Sequence, residues 1–384
     1  MDVSAWSMFF SFDVMGEIGF GKDFNNLNTG VEHSAIKGVH SHMTMLGIMS
    51  TVPWLLNVLG SIPGAAAGYS EFFSFCAGQI REKHKVSHRF QTYSKYHVQL
   101  TFIQTWDSEK MPQDIVSWLL KAVKERDVSA SPSAAALEDD ARVVIIAGRY
   151  SESIPPPPFY SNLMLTQSSE TTATTLASAL FYLAKNPSTQ KKLQAHLDRA
   201  MPGGYSDWSY EKVKSVSYVD DFINETLRLK PALLTGGARE TPAKGIQVGD
   251  TYIPGNTNIM VPIWLIQRDE RYWPEADKFV PERFGERREE MGTDKAPYLP
   301  FSLGEILGLS SFCAFADDDL GAYACPGKNL AQLSLRTSLS MIAQNFDVAF
   351  APGEDGVTFD NEMLDTFTVT LPPLQLQFTP RNFG

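Results

Sequence analysis

The sequence predicts a mainly α-helical protein with small β-sheets, which is an α+β fold class. Helical patterns dominate from residue 139 onward, and the few strand patterns are short and come late in the chain. Size is the third observation, because 384 residues, 43% of them hydrophobic, can bury a large core. We therefore expect a globular protein; length alone suggests two or three domains, although large single-domain folds often depart from that expectation.

Apolar periodicity predicts helices over 139–148, 169–187, 187–201 and 217–231. Pro187 suits the first turn of the third helix, where its missing N–H is not needed. Pro231 ends the fourth helix. The apolar face of that fourth helix is made of Val219, Phe222, Ile223, Leu227 and Leu229.

Two late segments have strand patterns. Residues 245–254 are typical of a hairpin that turns at Gly249 and Asp250. Residues 366–380 alternate apolar and polar side chains on either side of a Pro-Pro pair. The sheets are therefore expected to be small and to follow most of the helices.

Charge, cysteine count and hydropathy exclude several classes of function. A net charge of −11 makes a nucleic-acid partner improbable, since such partners need a basic surface. Three cysteines are too few for a disulfide framework and favour a reducing compartment, where a cysteine of importance is a ligand or a nucleophile. Residues 44–62 are apolar, but Pro53 and Gly60 interrupt them, which favours two short buried helices over a membrane span; the alternative is a surface that dips into a bilayer.

Glu225 and Arg228 lie three residues apart in a predicted helix, so their side chains share a face and can pair. Arg283, in the Pro-rich and aromatic segment 271–284, can complete a three-member charge cluster with them. In a buried cluster, the loss of one partner costs about 3–5 kcal/mol. The alternative is an ordinary pair on a helix surface beside a surface meander.

Cys325 comes directly before a predicted helix in which Leu330, Leu333, Leu335 and Ile342 are expected to be buried. Backbone N–H groups and the dipole at a helix start favour the thiolate form of a cysteine. Gly327 permits a close approach of the backbone. The alternative is that Cys325 is simply a small buried residue.

Three motifs in this order carry a resemblance to a known family: ETLR (225–228), PERF (281–284), and FSLG (301–304) followed by AYACPGK (322–328). They resemble the cytochrome P-450 superfamily of haem-thiolate monooxygenases, and the chain looks most similar to its fungal microsomal members. The resemblance runs from about Met1 to the C-terminus. It implies that residues 1–384 form a single, incomplete cytochrome P-450 domain, with a cytochrome P-450 fold that lacks the N-terminal anchor and the first helices.

The resemblance also implies a haem site. Cys325 matches the axial thiolate ligand of the haem iron, whereas Cys313 lies in a run foreign to the family. In the same motif, Phe301, Gly304 and Gly327 match the cofactor-binding loop. Arg239 matches a position that binds a haem propionate, and Tyr323 stands where most members keep Arg or His for the same purpose. The motif residues Glu225, Arg228 and Arg283 are structural supports of the cysteine loop.

The oxygen-activating helix of the family is matched by Ala147 and Gly148 followed by SETT at 169–172. The resemblance implies that Glu170 and Thr171 relay protons and that Gly148 leaves the helix room to open. The alternative is that Thr171 is an ordinary helix threonine whose hydroxyl bonds to a backbone carbonyl.

Foreign runs interrupt these family motifs at 149–168 and 305–321, and a third run at 86–104 shares their coding features. The run 149–168 contains four consecutive prolines, which cannot lie inside a helix. We interpret all three as non-native insertions, translated introns by hypothesis. The alternative is genuine loop insertion, which surface loops tolerate well.

By resemblance, the chain inserts one oxygen atom of O2 into a lipophilic small molecule, in fungal secondary metabolism. It would use haem and a flavin-containing reductase as electron donor. An intact ancestor would lie in the endoplasmic reticulum membrane, and this chain, without an anchor, would be cytoplasmic or peripheral. Two alternatives remain: an inactive, truncated and mis-spliced remnant that binds no haem, and a binding module for apolar ligands. Haem incorporation separates them from the enzyme.

Overall fold

The computed structural model describes residues 1–33, 36–38, 40, 44, 47, 114–125, 169–237, 239–302, 325 and 327–381. The chain divides into two compact units. One unit contains Met1–Ser4 and Thr174–Gly384, and the other contains Ala5–Ala173. Within the described ranges, no helix combines the length and the apolar character that a membrane crossing requires. The three proposed insertions lie outside the described residues, so that interpretation stays a prediction.

Helices make up most of the described structure, as the sequence predicts. The α-helices are α1 Val3–Phe20, α2 Asn26–Thr29, α3 Ile115–Glu125, α4 Ser169–Lys185, α5 Pro187–Ala200, α6 Tyr210–Lys214, α7 Ser217–Leu229, α8 Ile263–Ile266, α9 Arg288–Met291, α10 Lys328–Asn345 and α11 Val357–Asn361. Short 3₁₀ helices cover Gly204–Asp207, Pro281–Arg283 and Thr293–Lys295. The predicted helices at 169–187, 187–201 and 217–231 are therefore present, whereas the one at 139–148 lies outside the described residues.

The described strands form four small antiparallel sheets of two strands each. The strands are β1 Arg239–Glu240, β2 Ile246–Val248, β3 Thr251–Ile253, β4 Asn258–Ile259, β5 Phe346–Phe350, β6 Leu364–Thr366, β7 Thr368–Thr370 and β8 Leu376–Pro380. Pairing joins β1 to β4, β2 to β3, β5 to β8 and β6 to β7. The predicted hairpin at 245–254 is present with Ile246 opposite Ile253. The strands on either side of the Pro-Pro pair belong to two different sheets.

The core of the C-terminal unit is built on helix α7. All five apolar residues predicted for its inner face are buried: Val219, Phe222, Ile223, Leu227 and Leu229. The helix ends at Leu229, two residues before Pro231, whose ring prevents a further helical turn. Helix α7 therefore offers a rigid, buried support on which polar side chains can be held in place.

Helix α10 follows the cysteine motif and buries a narrower face than the sequence predicts. Leu335, Leu339 and Ala343 are buried at a spacing of four residues. The prediction that Leu333 is buried is wrong, because this side chain is 40% exposed. At 100° per residue, Leu333 points about 200° away from Leu335, which places it on the other side of the helix.

Candidate active site

Cys325 lies against Phe301, the first residue of the FSLG motif. The backbone N–H of Cys325 donates a hydrogen bond to the carbonyl oxygen of Phe301 at 2.8 Å. Gly327 precedes helix α10, and its carbonyl accepts from the N–H of Ala331 at 2.8 Å. We call Phe301, Ser302, Cys325 and Gly327 the cysteine loop. Phe301 and Cys325, one residue from each of the two separated motifs, therefore meet in space.

The Cys325 side chain is partly buried, and burial raises the pKa of its thiol. The backbone N–H groups of Gly327 and Lys328 hydrogen bond to the sulfur and act in the opposite direction. The expected preference for a thiolate is therefore not provided by the polypeptide alone, since desolvation opposes the charged form more strongly. A metal ion bound at this sulfur would remove the proton of the thiol, and the two N–H groups would then stabilise the negative sulfur.

Arg239 lies beside the cysteine loop at the start of strand β1. Its Nη2 donates a hydrogen bond to Oγ of Ser302 at 3.1 Å. Ser302 has a left-handed φ of 60°, which orients the loop at this point. A Cβ at Gly237 would lie 2.7 Å from Nη1 of Arg239, so glycine there allows the guanidinium to fold back over the backbone. Sequence reasoning did not single out Ser302 or Gly237.

Glu225, Arg228 and Arg283 form the charge cluster that the sequence predicts, and all three side chains are fully buried. One carboxylate oxygen of Glu225 accepts from Nε of Arg228 at 2.7 Å, and the other accepts from Nε of Arg283 at 3.0 Å. Nη2 of Arg228 at 2.9 Å and the N–H of Val280 at 2.8 Å also donate to this carboxylate. The alternative of a surface pair is therefore wrong, because the cluster has no exposed member.

The two arginines of this cluster also hold the segment 271–284. Nη1 of Arg228 donates to the carbonyl oxygen of Ala276 at 2.7 Å, and Nη1 of Arg283 donates to that of Pro274 at 2.7 Å. Those backbone carbonyls have no regular secondary structure to bond within. The cluster therefore fixes an irregular segment to helix α7 through charge-assisted hydrogen bonds.

Gln267 connects this region to the segment just before the cysteine loop. Its buried side chain donates to the carbonyl oxygen of Leu227 at 3.1 Å and accepts from the N–H of Leu299 at 3.1 Å. Sequence reasoning missed Gln267, since an isolated glutamine gives no signal of burial. Helix α7 thereby positions the backbone two residues ahead of Phe301.

Glu170 belongs to the other compact unit, in the first turn of helix α4. It is buried, and Oε1 lies 2.9 Å from Nδ1 of His40. Thr171 is partly exposed on the next position of the helix. Sequence reasoning missed His40. Gly148 and Gly304, which were also predicted to contact the cofactor, lie outside the described residues.

Comparisons with known proteins agree with these motifs. The family model described as Cytochrome P450 matches residues 161–305. The cytochrome P450 monooxygenase eupD of Phoma sp is 36% identical over 339 residues, which are 88% of this chain and 100% of that relative. The chain belongs to the cytochrome P450 family. Its class of activity is that of an oxidoreductase of the monooxygenase type.

Other cytochrome P450 relatives are longer than this chain. The monooxygenase orf5 of Eupenicillium brefeldianum is 31% identical, and the match covers 100% of this chain and 65% of the relative. The tryprostatin B 6-hydroxylase of Aspergillus fumigatus is 26% identical over 57% of its length. The chain thus spans the whole of one relative but under two thirds of these two.

Solved structures show the cytochrome P450 fold directly. The alignment with the heme domain of cytochrome P450DA covers 100% of this chain and 68% of that domain's chain, at a TM-score of 0.67 and 17% identity. The alignment with cytochrome P450 CYP102L1 covers 99% of this chain and 69% of that protein's chain, at a TM-score of 0.63 and 20% identity. The prediction of a mainly α-helical cytochrome P450 fold is confirmed.

The family implies a haem cofactor, a redox partner, O2 and an organic substrate. The described residues of this cytochrome P450 fit a haem. Cys325 offers a sulfur whose negative charge two N–H groups can stabilise, and Arg239 brings a guanidinium to the same loop, as an anionic propionate requires. Gln267 links helix α7, which carries Glu225, to the backbone of Leu299 just ahead of that loop.

Proposed function

We propose that this chain inserts one oxygen atom of O2 into a lipophilic small molecule, with a haem held by the Cys325 thiolate. The observation that carries the proposal is the 2.8 Å hydrogen bond from Cys325 N–H to the Phe301 carbonyl, which joins the two halves of the cysteine motif. Arg239 supports it, because its guanidinium reaches Ser302 of the same loop.

The bound haem would supply the oxygen chemistry, which a thiolate ligand favours by pushing electron density toward the iron. The described residues then have separate tasks. Gly327 and Lys328 stabilise the sulfur through their N–H groups, and Arg239 binds a propionate. Glu170 receives a proton at its carboxylate and passes it on with Thr171. The fully buried Glu225 keeps the supporting segment in place and takes no part in proton transfer.

Electron donor, substrate and location are also part of the proposal. We infer a flavin-containing reductase as the electron donor, because fungal microsomal members of the family use one. A relative named for hydroxylating tryprostatin B supports an apolar product of fungal secondary metabolism as substrate class. For the location we propose the endoplasmic reticulum membrane, where the microsomal members that the chain resembles lie, with a peripheral or cytoplasmic location as the alternative.

Haem binding by the purified chain tests the proposal. We expect the reduced carbon monoxide adduct to give a thiolate-type absorption spectrum. Cys325→Ser should abolish that spectrum, because a serine hydroxyl does not supply a thiolate. Cys313→Ser is the matched control, since it removes the neighbouring cysteine and should leave the spectrum intact.

Two results would contradict the proposal. If the full chain takes up no haem under conditions that load a longer relative, the chain is a remnant or a binding module. If Cys313→Ser removes the thiolate-type spectrum and Cys325→Ser does not, the ligand has been assigned to the wrong cysteine.

A further inference from the structure

Glu170 is a buried carboxylate with a nearby imidazole. Its side chain is 2% exposed, and Oε1 lies 2.9 Å from Nδ1 of His40. Both atoms are shielded from solvent. The two residues come from segments far apart in the sequence but belong to the same compact unit. The contact therefore depends on the fold of that unit rather than on local helix geometry.

A buried carboxylate is costly unless a cation or hydrogen-bond donors surround it. Burial lowers the pKa of His40, while the hydrogen bond and the charge of Glu170, together with the charge of Glu32, raise it by more. Lys37 faces Glu32 at 3.8 Å and offsets part of its charge. Among the described residues, these are the charged groups that act on His40, and their sum favours the imidazolium.

Exposure differs sharply between the two partners. The side chain of His40 is 37% exposed, whereas that of Glu170 is 2% exposed. Glu170 cannot exchange a proton with bulk water directly at that burial. His40 touches both environments, since part of its ring is in solvent while Nδ1 contacts the carboxylate. An imidazole changes charge near neutral pH, so it can accept a proton from water and release it again.

We propose that His40 is the proton donor to Glu170 and carries protons from solvent to this buried carboxylate. The inference rests on the proposed function, in which Glu170 takes part in proton delivery. His40 acts through Glu170, so it is a positioning and supply residue rather than one that touches substrate. A lysine or arginine at this place would neutralise the carboxylate equally well, but it would release its proton far less readily near neutral pH.

The transfer is balanced without any other reactant. The imidazolium gives its Nδ1 proton to Oε1 of Glu170, which leaves a neutral ring with its remaining proton on Nε2 and a carboxylic acid on the glutamate. After Glu170 has passed its proton on, it is again a carboxylate. His40 regains a proton from water when Nδ1 turns outward, which the 37% exposure of the side chain permits.

The first test needs no haem. NMR of the full chain with isotope-labelled histidine rings measures each imidazole pKa, and His40→Asn identifies the signal. We expect the pKa of His40 above 6.5, and those of His33 and His196 below 6.5, because burial and nearby cations lower them. Glu170→Gln should bring the pKa of His40 below 6.5, since burial then dominates. A His40 pKa that does not respond to Glu170→Gln would overturn the proposal.

The second test separates proton supply from simple hydrogen bonding. The amide nitrogen of an asparagine lies close to the place of Nδ1, so His40→Asn keeps a donor to Glu170 but cannot titrate. In the haem-loaded enzyme with a redox partner, we expect product formed per electron consumed to fall about tenfold in this variant. In the wild-type enzyme, product formation should decline as pH rises above the pKa of His40. This decline should be absent in His40→Asn. His196→Gln is the control, because His196 stacks on Tyr218 in the other unit.

The outcomes are distinct. If His40→Asn keeps the wild-type yield and pH profile, His40 only holds the carboxylate and the inference is wrong. If the chain takes up no haem, the proposed function fails, and with it the delivery role, although the NMR titration still decides whether the contact exists. A raised pKa together with a loss of yield in His40→Asn, but not in His196→Gln, would support both.

Discussion

Glu225 and Glu170 are both buried carboxylates, but they have different partners. Glu225 accepts from two guanidinium groups and a backbone N–H, and no part of the cluster is exposed. Glu170 contacts the imidazole of His40, which reaches solvent. Guanidinium groups stay charged at every accessible pH, whereas an imidazole changes charge near neutrality. The first arrangement therefore suits permanent support, and the second suits proton movement.

The largest expected effect comes from breaking the permanent arrangement. Glu225→Gln keeps the side-chain shape but leaves Arg228 and Arg283 as two like charges in the interior. We expect the free energy of unfolding to fall by about 3–5 kcal/mol, the usual cost of an uncompensated buried charge. Urea unfolding followed by tryptophan fluorescence measures it, since buried Trp273 packs over the guanidinium of Arg228 at 5.2 Å.

An exposed pair on the same segment provides the matched control. Glu275 and Lys278 lie 2.7 Å apart on the surface of segment 271–284. Exposed pairs contribute little, because water and salt screen them. Glu275→Gln should therefore unfold like the unchanged protein. If Glu225→Gln also unfolded like the unchanged protein, the buried cluster would not hold the segment. Glu225 would then not be a permanent support, and the contrast with Glu170 would fail.

A third carboxylate sharpens the comparison, because it shares helix α7 with Glu225 but lies among negative charges. Asp221 is 9% exposed and packs against Gly285, where a Cβ would come within 2.2 Å of Oδ2. Burial first, and then the charges of nearby carboxylates such as Asp220, raise the pKa of Asp221 to about 7, and Lys192 offsets only part of this.

The sign of the pH dependence follows from proton counts. Between about pH 4 and pH 7, folded Asp221 keeps a proton that the unfolded chain has lost, so stability falls as pH rises through this window. Asp221→Asn removes that dependence and should raise the free energy of unfolding at pH 8 by about 3 kcal/mol, with little change at pH 4. Urea unfolding at both pH values measures it. An equal change in the free energy of unfolding at pH 4 and pH 8 would show that packing, not ionisation, is responsible.

The sequence predicted the first carboxylate site well, for physical reasons. Glu225 and Arg228 are three residues apart, and helix geometry alone brings such side chains together. Arg283 and the contact between Phe301 and Cys325 are long-range, and only the order of the family motifs indicated them. Burial was harder to predict, as Leu333 shows, because a leucine in an amphipathic helix need not face the core.

His40 could not have been found in this way. It lies far from Glu170 in the sequence, in a segment with other histidines, and nothing local distinguishes it from His33. The pKa directions of these two residues differ only because of their surroundings. Burial and Lys22 lower that of His33, whereas Glu170 raises that of His40. A site made by tertiary contact with a common residue type leaves no motif in a single sequence.

The smallest expected effect concerns folding stability at the imidazole site. The pKa of His40 is raised in the folded protein, so its charge adds to the free energy of unfolding. This contribution is fully present at pH values below the ordinary imidazole pKa and is lost as pH rises through the raised pKa. Glu170→Gln should therefore lower the thermal midpoint relative to the unchanged protein at about pH 6 and have less effect at about pH 9. His40 is partly exposed, so we expect about 1 kcal/mol or less. If the difference in thermal midpoint stays constant with pH, Glu170 contributes through packing alone. The titration of His40 would then not distinguish this site from the one at Glu225.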